Sequence, residues 1–226
     1  MISVLLFACG YEYFAQDSAK EALQSNEQTT VSFEKDWIHF APTEEAFEIG
    51  VVFYPGGKVE AEAYAPIIRK ISDAGISSYI VYVTGGLAIL DQNAALGVFD
   101  TEPLEKWIVS GHSLGGVAAA KVSSDERVVG LSLWASYPAS GNDLSTSAIA
   151  VQSIVGTDDG VLNWEKWNEA KENLPSSTQW MEIEGGNHSQ FGDYGFQDGD
   201  NVASISAEEQ WLQTASGILD MINNIP

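Results

Sequence analysis

Cysteine is almost missing from this chain. Cys9 stands alone, so no intrachain disulfide can staple the fold and no thiolate cage can hold a metal. Histidine is nearly as scarce. His39, His112 and His188 are far apart in the sequence and offer no ligand spacing, so no metal site is expected. Basic residues are few: 10 Lys and Arg stand against 32 Asp and Glu, for a formal charge of −22. A surface of that sign repels phosphate backbones and bare anionic membranes, and nucleic acid is not expected as a partner. The charge suits solubility, in salty surroundings for instance, or the steering of a cationic substrate. Long apolar runs are lacking too. Ile2–Gly10 (ISVLLFACG) falls well short of the about 20 residues a bilayer span needs, and no Lys or Arg precedes it as in a signal peptide. There is no internal repeat and no low-complexity stretch.

What is present suits one compact domain. With 226 residues, 45% of them hydrophobic, the chain can bury a sizeable core. The expected division is an N-terminal apolar segment and linker over 1–30, followed by a catalytic domain over 31–226. Ile2–Gly10 reads as a first strand or packed segment, or as the remnant of a signal or anchor. The stretch Leu6-Phe7-Ala8-Cys9 also loosely resembles a lipobox, which would make Cys9 a lipidation site. An anchor would place the chain outside the cytoplasm or on a membrane, with the cytoplasm as the alternative. Membrane contact is expected through this segment only.

Asp17–Thr30 is polar and reads as a helix or linker. Val31–Phe33 and Trp37–Phe40 alternate as a short hairpin at a sheet edge. Beyond them, continuous β-branched runs alternate with helical spacing. Ile49–Tyr54, Ile76–Val83, Lys106–Val109, Val128–Ser136, Ala148–Val155 and Thr178–Ile183 read as strands covered on both faces. Glu60–Ala74, Leu87–Phe99, Leu114–Val122, Trp164–Asn173 and Glu208–Ile222 read as helices. On the first of these, Ala61, Tyr64, Ile67, Ile68 and Ile71 share a face. Strands alternating with helices predict an α/β fold, with a mostly parallel sheet and helices on both faces. Right-handed crossovers then bring every strand's carboxyl end to one edge, where ligands bind. The gap from Ser136 to Ala148 leaves no room for a substantial lid domain.

The chemistry-bearing residues fall on that edge. Gly111-His112-Ser113-Leu114-Gly115 is a G-x-S-x-G motif between a strand and a small-residue helix. The turn is sharp, so Ser113 is lifted above the sheet at a helix N-terminus as a nucleophile. The helix dipole there favours an oxyanion. His188, in Gly185-Gly186-Asn187-His188, follows the last strand and precedes the closing helix, as a general base should. His112 directly precedes the nucleophile and reads as a neighbour, and His39 reads as an ordinary structural histidine. A carboxylate must orient the base. The loop Gly156-Thr157-Asp158-Asp159-Gly160 offers two adjacent candidates, of which the other would cap the helix beginning near Leu162. An oxyanion hole needs two N–H groups. Leu114, after the nucleophile, supplies one; Gly57, in Pro55-Gly56-Gly57-Lys58, supplies the second, with Lys58 as the alternative. Trp134 and Tyr137, near a strand end, are pocket or core residues, core being the expected role.

The ordered set PGG, GHSLGG, GTDDG and GGNHSQFGDYG resembles the bacterial α/β-hydrolase fold-5 group, relatives of dienelactone hydrolases and carboxylesterases, from about Trp37 to the C-terminus. The resemblance implies the α/β-hydrolase fold, Ser-Asp-His chemistry and no cofactor. It carries over to Ser113, Asp159 and His188, because the Gly-x-x-Asp spacing usual on the acid loop selects Asp159. Pro55 stands where relatives often have His. True dienelactone hydrolases use a Cys nucleophile, so the Ser here favours ordinary carboxylic esters of small to medium acyl chains. A thioesterase, lactonase or peptidase would use the same triad, and a catalytically silent ligand-binding protein would share the fold. Some members of the group carry an N-terminal membrane anchor. Gln190–Gly195 is expected to shape the pocket around His188.

Overall fold

The computed structural model describes residues 11–44 and 47–225. Ile2–Gly10, with its candidate anchor and the Cys9 lipidation site, lies outside these. Eight strands form one sheet: β1 (Thr29–Phe33), β2 (Trp37–Pro42), β3 (Ile49–Tyr54), β4 (Ser78–Val81), β5 (Lys106–His112), β6 (Val128–Trp134), β7 (Ala150–Gly156) and β8 (Gln179–Ile183). Their spatial order is β1-β2-β4-β3-β5-β6-β7-β8. β1 and β2 form the antiparallel edge hairpin expected from their alternation, and β2 pairs antiparallel with β4. All pairings from β4 through β8 are parallel.

Among the described residues six α-helices accompany the sheet: α1 (Asp17–Ala22), α2 (Ala65–Asp73), α3 (Ala94–Thr101), α4 (Leu114–Val122), α5 (Trp164–Glu169) and α6 (Ala207–Asn224). Every residue of β3 is buried, and its side chains alternate between two cores. Val51 and Phe53 join Ile67, Ile68 and Ile71 of α2 and Ile218 and Ile222 of α6 on one face. Val52 and Tyr54 join Val98 of α3 and Ala118–Ala120 of α4 on the other. Burying each of the three α2 isoleucines contributes about 1.5–3 kcal/mol, which fixes that helix against the sheet. The short link from β6 to β7 carries no inserted lid domain. No helix among the described residues is long and apolar enough to cross a membrane.

Three segments depart from the sequence reading. The helix expected over Leu87–Phe99 is broken: a 3-10 turn at Ala88–Leu90 precedes α3, which starts only at Ala94. The phenol of Tyr54, in the centre of the sheet, donates to Gln92 O at 2.6 Å and accepts from Ala95 N at 2.8 Å, replacing helical hydrogen bonds at the break. The stretch Glu60–Ala74 is likewise two pieces, a 3-10 turn at Ala61–Tyr64 and then α2, because Pro66 has no N–H to continue the ladder. Within the polar stretch after residue 16, α1 packs on the domain. Ala19 is fully buried, and its N–H donates to the Asp193 carboxylate at 2.8 Å.

Candidate active site

The carboxyl ends of β3, β5, β7 and β8 carry the loops that hold Gly57, Ser113, Asp159 and His188. Ser113 links β5 directly to α4 with φ 51° and ψ −120°, a strained conformation for a residue with a side chain. The turn tolerates nothing larger than hydrogen beside it. A Cβ at Gly111 would lie 2.4 Å from the Gly115 carbonyl, and one at Gly115 would lie 2.2 Å from Tyr54 O. The Ser113 N–H donates to Trp134 O at 2.9 Å, and the Ser136 hydroxyl donates to Ser113 O at 2.6 Å. The elbow is therefore held from β6 as well as β5.

His188 is buried, and its Nδ1 meets Asp159 Oδ2 at 2.8 Å. The other carboxylate oxygen of Asp159 accepts from Val161 N at 2.8 Å and Leu162 N at 2.7 Å. That leaves Asp159 no freedom to rotate away. Because Nδ1 carries the proton given to the carboxylate, Nε2 presents a lone pair. Nε2 is buried without a hydrogen-bond partner, so the Ser113 hydroxyl shares a cavity with the imidazole but is not bonded to it. Asp158 points elsewhere, its carboxylate accepting from the Ser204 hydroxyl at 3.2 Å. The helix cap expected from it belongs to Asn163, whose side chain accepts from Lys166 N.

Of the two expected oxyanion donors beside Ser113, the Leu114 N–H has no partner among the described residues. Neither has Gly57 N–H, and a Cβ at Gly57 would lie 3.2 Å from Leu114 Cδ2, so the two loops touch. The alternative, Lys58, is committed: its N–H donates to Gly86 O at 2.7 Å.

The cavity is about 230 Å³ and mostly apolar. Ser113 and His188 face it, Val117, Val161 and Leu162 give its apolar wall, and Asn163 and Tyr137 also line it, Tyr137 contrary to the core role expected of it. Trp134 is core, with its indole N–H donated to Ser132 Oγ at 3.0 Å. Gln190–Gly195 does not line this cavity, contrary to expectation. Phe191 and Tyr194 are buried against His112, the Phe191 ring 5.5 Å from its ring. His39 bonds to Ser77 Oγ at 2.9 Å and stacks on Tyr79, away from the site.

Several positioning groups had no sequence signal. Asp200 is a buried carboxylate that accepts from Gly160 N at 3.0 Å on the Asp159 loop and from Ser189 N at 2.7 Å on the His188 loop. Gln210 of α6 accepts from Asn187 N at 3.0 Å and donates to Asn187 O at 2.8 Å, fixing the residue before His188. Both lie in stretches whose composition reads as surface loop or helix, and their partners are distant in sequence. Among the described residues no group of three or more His, Cys, Asp or Glu side chains could hold a metal ion.

His112 lies beneath His188, the two ring centroids 4.4 Å apart. Burial first, and the neighbouring His188 second, hold its pKa well below the usual imidazole value. The unfolded chain takes up this proton near pH 6.5 and the folded chain does not. Stability contributed by neutral His112 is thus intact above that pH and lost as pH falls below it, with a slope approaching about 1.4 kcal/mol per pH unit. Urea midpoints measured at pH 7.5 and 5.5 should therefore fall further in the wild type than in His112→Asn. Equal falls would show that another group carries the dependence.

The sequence matches the alpha/beta hydrolase family over residues 50–212. No curated protein sequence matches it. Among solved structures it is similar to the esterase domain of a Rhodothermus marinus protein (12% identity, TM-score 0.62, covering 86% of this chain and 98% of that one). It is also similar to Est1E from Butyrivibrio proteoclasticus (10%, 0.60, 88% and 100%) and to a ferulic acid esterase from Streptomyces cinnamoneus (18%, 0.62, 82% and 68%).

Proposed function

The chain belongs to the alpha/beta hydrolase family, and from that membership we propose that it is a serine hydrolase cleaving carboxylic esters of small to medium acyl chains, with Ser113 as nucleophile, His188 as general base and Asp159 as its orienting acid. One observation carries the reading. A buried imidazole is tied to a carboxylate through Nδ1 at 2.8 Å, and its unpartnered Nε2 sits on the same cavity as a serine in a strained strand-to-helix turn. Catalytic hydrogen bonds often tighten only around substrate.

Attack by Ser113 Oγ on an ester carbonyl passes its proton to His188 Nε2. The Leu114 and Gly57 N–H groups receive the developing oxyanion, and His188 returns the proton to the leaving alkoxide. Water, deprotonated by the same imidazole, then releases the acid and regenerates Ser113. The resemblance to esterases at low identity supports the reaction class only as fold-level analogy.

The small apolar cavity favours short acyl chains. In assays with p-nitrophenyl acetate, butyrate and octanoate, kcat/KM for the octanoate should lie at least about tenfold below that for the butyrate, equivalent to about 1.4 kcal/mol. A fluorophosphonate probe should label Ser113 stoichiometrically, as read by peptide mass. Hydrolysis without labelling of Ser113 would overturn the nucleophile, and a preference rising with chain length would overturn the cavity as the acyl site.

A further inference from the structure

Beneath the loops that offer Gly57 and His188 lies a buried polar chain that the acyl-transfer reading does not use. Tyr64 ends the 3-10 turn before α2 and is fully buried. Its phenol oxygen accepts from Gly56 N at 2.9 Å and lies 2.9 Å from His112 Nδ1. The close approach explains a glycine there: a Cβ at Gly56 would stand 2.8 Å from the Tyr64 oxygen and 2.9 Å from His112 Nδ1. Left unpaired in the interior, each of these groups would carry an uncompensated desolvation penalty.

The phenol has one proton to place. Burial holds its pKa far above the ordinary tyrosine value, so the proton stays on oxygen. With Gly56 as donor to that oxygen, the acceptor available to the O–H among the described residues is His112 Nδ1. His112 then keeps its single proton on Nε2 and remains neutral. Neutrality matters, because a cation with its ring centroid 4.4 Å from that of His188 would oppose the proton His188 must accept.

We propose that Tyr64 is a positioning residue for the reaction. By holding the Gly56 peptide against His112 on the elbow, it aims the adjacent Gly57 N–H at the oxyanion. The inference rests on the esterase reading above. Gly56 is the peptide before Gly57, and Leu114 packs against Gly57 from the elbow side. The two donors therefore approach from loops joined underneath by Gly56–Tyr64–His112. A displaced donor weakens transition-state binding while leaving ground-state binding nearly untouched.

The test uses the intact protein and p-nitrophenyl butyrate, once the wild type hydrolyses it and fluorophosphonate labels Ser113. That first result judges the esterase reading by itself. Tyr64→Phe keeps the ring and removes the oxygen. Its kcat should fall about 10- to 100-fold, somewhat less than outright loss of an oxyanion donor, while KM stays within about twofold. Its inhibition constant for phenylboronic acid, a tetrahedral mimic, should rise in parallel with the fall in kcat. Unchanged kcat, or a loss expressed mainly in KM, would overturn the proposal. Should Tyr64→Phe not fold, His112→Asn and His112→Leu provide the decision. Asn can place an amide oxygen near the Nδ1 position and accept from Tyr64, whereas Leu cannot. Near wild-type kcat for Asn with a fall of at least about tenfold for Leu supports the relay; equal kcat in both overturns it.

Discussion

Ser113→Ala is expected to lower kcat for p-nitrophenyl butyrate by about 10⁶-fold, a loss of about 8 kcal/mol of transition-state stabilisation. KM and the urea midpoint should stay close to wild type. The hydroxyl makes none of the contacts that hold the elbow. Those run through the Ser113 N–H to Trp134 O and through Ser113 O to the Ser136 hydroxyl, and both survive in alanine. His188→Ala should cost about as much, and the double variant little more, because nucleophile and base act as one unit. The residual rate over water reports the Leu114 and Gly57 donors together with substrate binding. Stopped assays on freshly purified variant, with loss of fluorophosphonate labelling as a second readout, decide the matter. Activity within about tenfold of wild type in Ser113→Ala would require another nucleophile, and with it another reading of the cavity.

Most of this site is legible because the fold concentrates it at strand ends. G-x-S-x-G between Trp107–Val109 and Val117–Ala120 has one steric solution, and the contacts of Gly111 and Gly115 with backbone show why. His188 is legible from position, since the loop after the last strand opens on the same edge as the loop after β5. What the sequence hides is contact between distant segments. Tyr54 breaks the helix expected at Leu87–Phe99 through a hydroxyl reaching 38 and 41 residues along the chain. In the sequence Tyr64 is one more apolar position on the face of a helix. Only the folded chain places its oxygen 2.9 Å from a histidine 48 residues away. Asp200 is similarly hidden, one carboxylate among 32 aspartates and glutamates until the loops carrying Asp159 and His188 are seen to donate to it. The segment Gln190–Gly195 carries an aromatic pattern that suits a pocket wall equally well as a floor. Burial of Phe191 and Tyr194 places it as floor.

The two adjacent acids give the sharpest contrast. Asp159→Asn is expected to lower kcat by about 10⁴-fold, whereas Asp158→Asn should leave it within about twofold. The reasoning lies in donors and acceptors. An asparagine at 159 can keep its oxygen on the Val161 and Leu162 N–H groups, so the loop keeps its shape. Its NH₂ group then faces His188 Nδ1, where a carboxylate oxygen stands at 2.8 Å. Two donors cannot share that contact, so the imidazole moves its proton to Nε2 and presents a lone pair to the amide. The nitrogen facing the Ser113 cavity is then a donor and can no longer take the serine proton. Asp158 makes one exposed contact, with Ser204, and faces no catalytic group. Rates on p-nitrophenyl butyrate at pH 8, beside matched circular dichroism spectra, separate the outcomes. Equal losses would mean that the loop's net charge matters and not the carboxylate at Nδ1. A larger loss at 158 would move the orienting role to that residue and require the acid loop to rearrange around substrate.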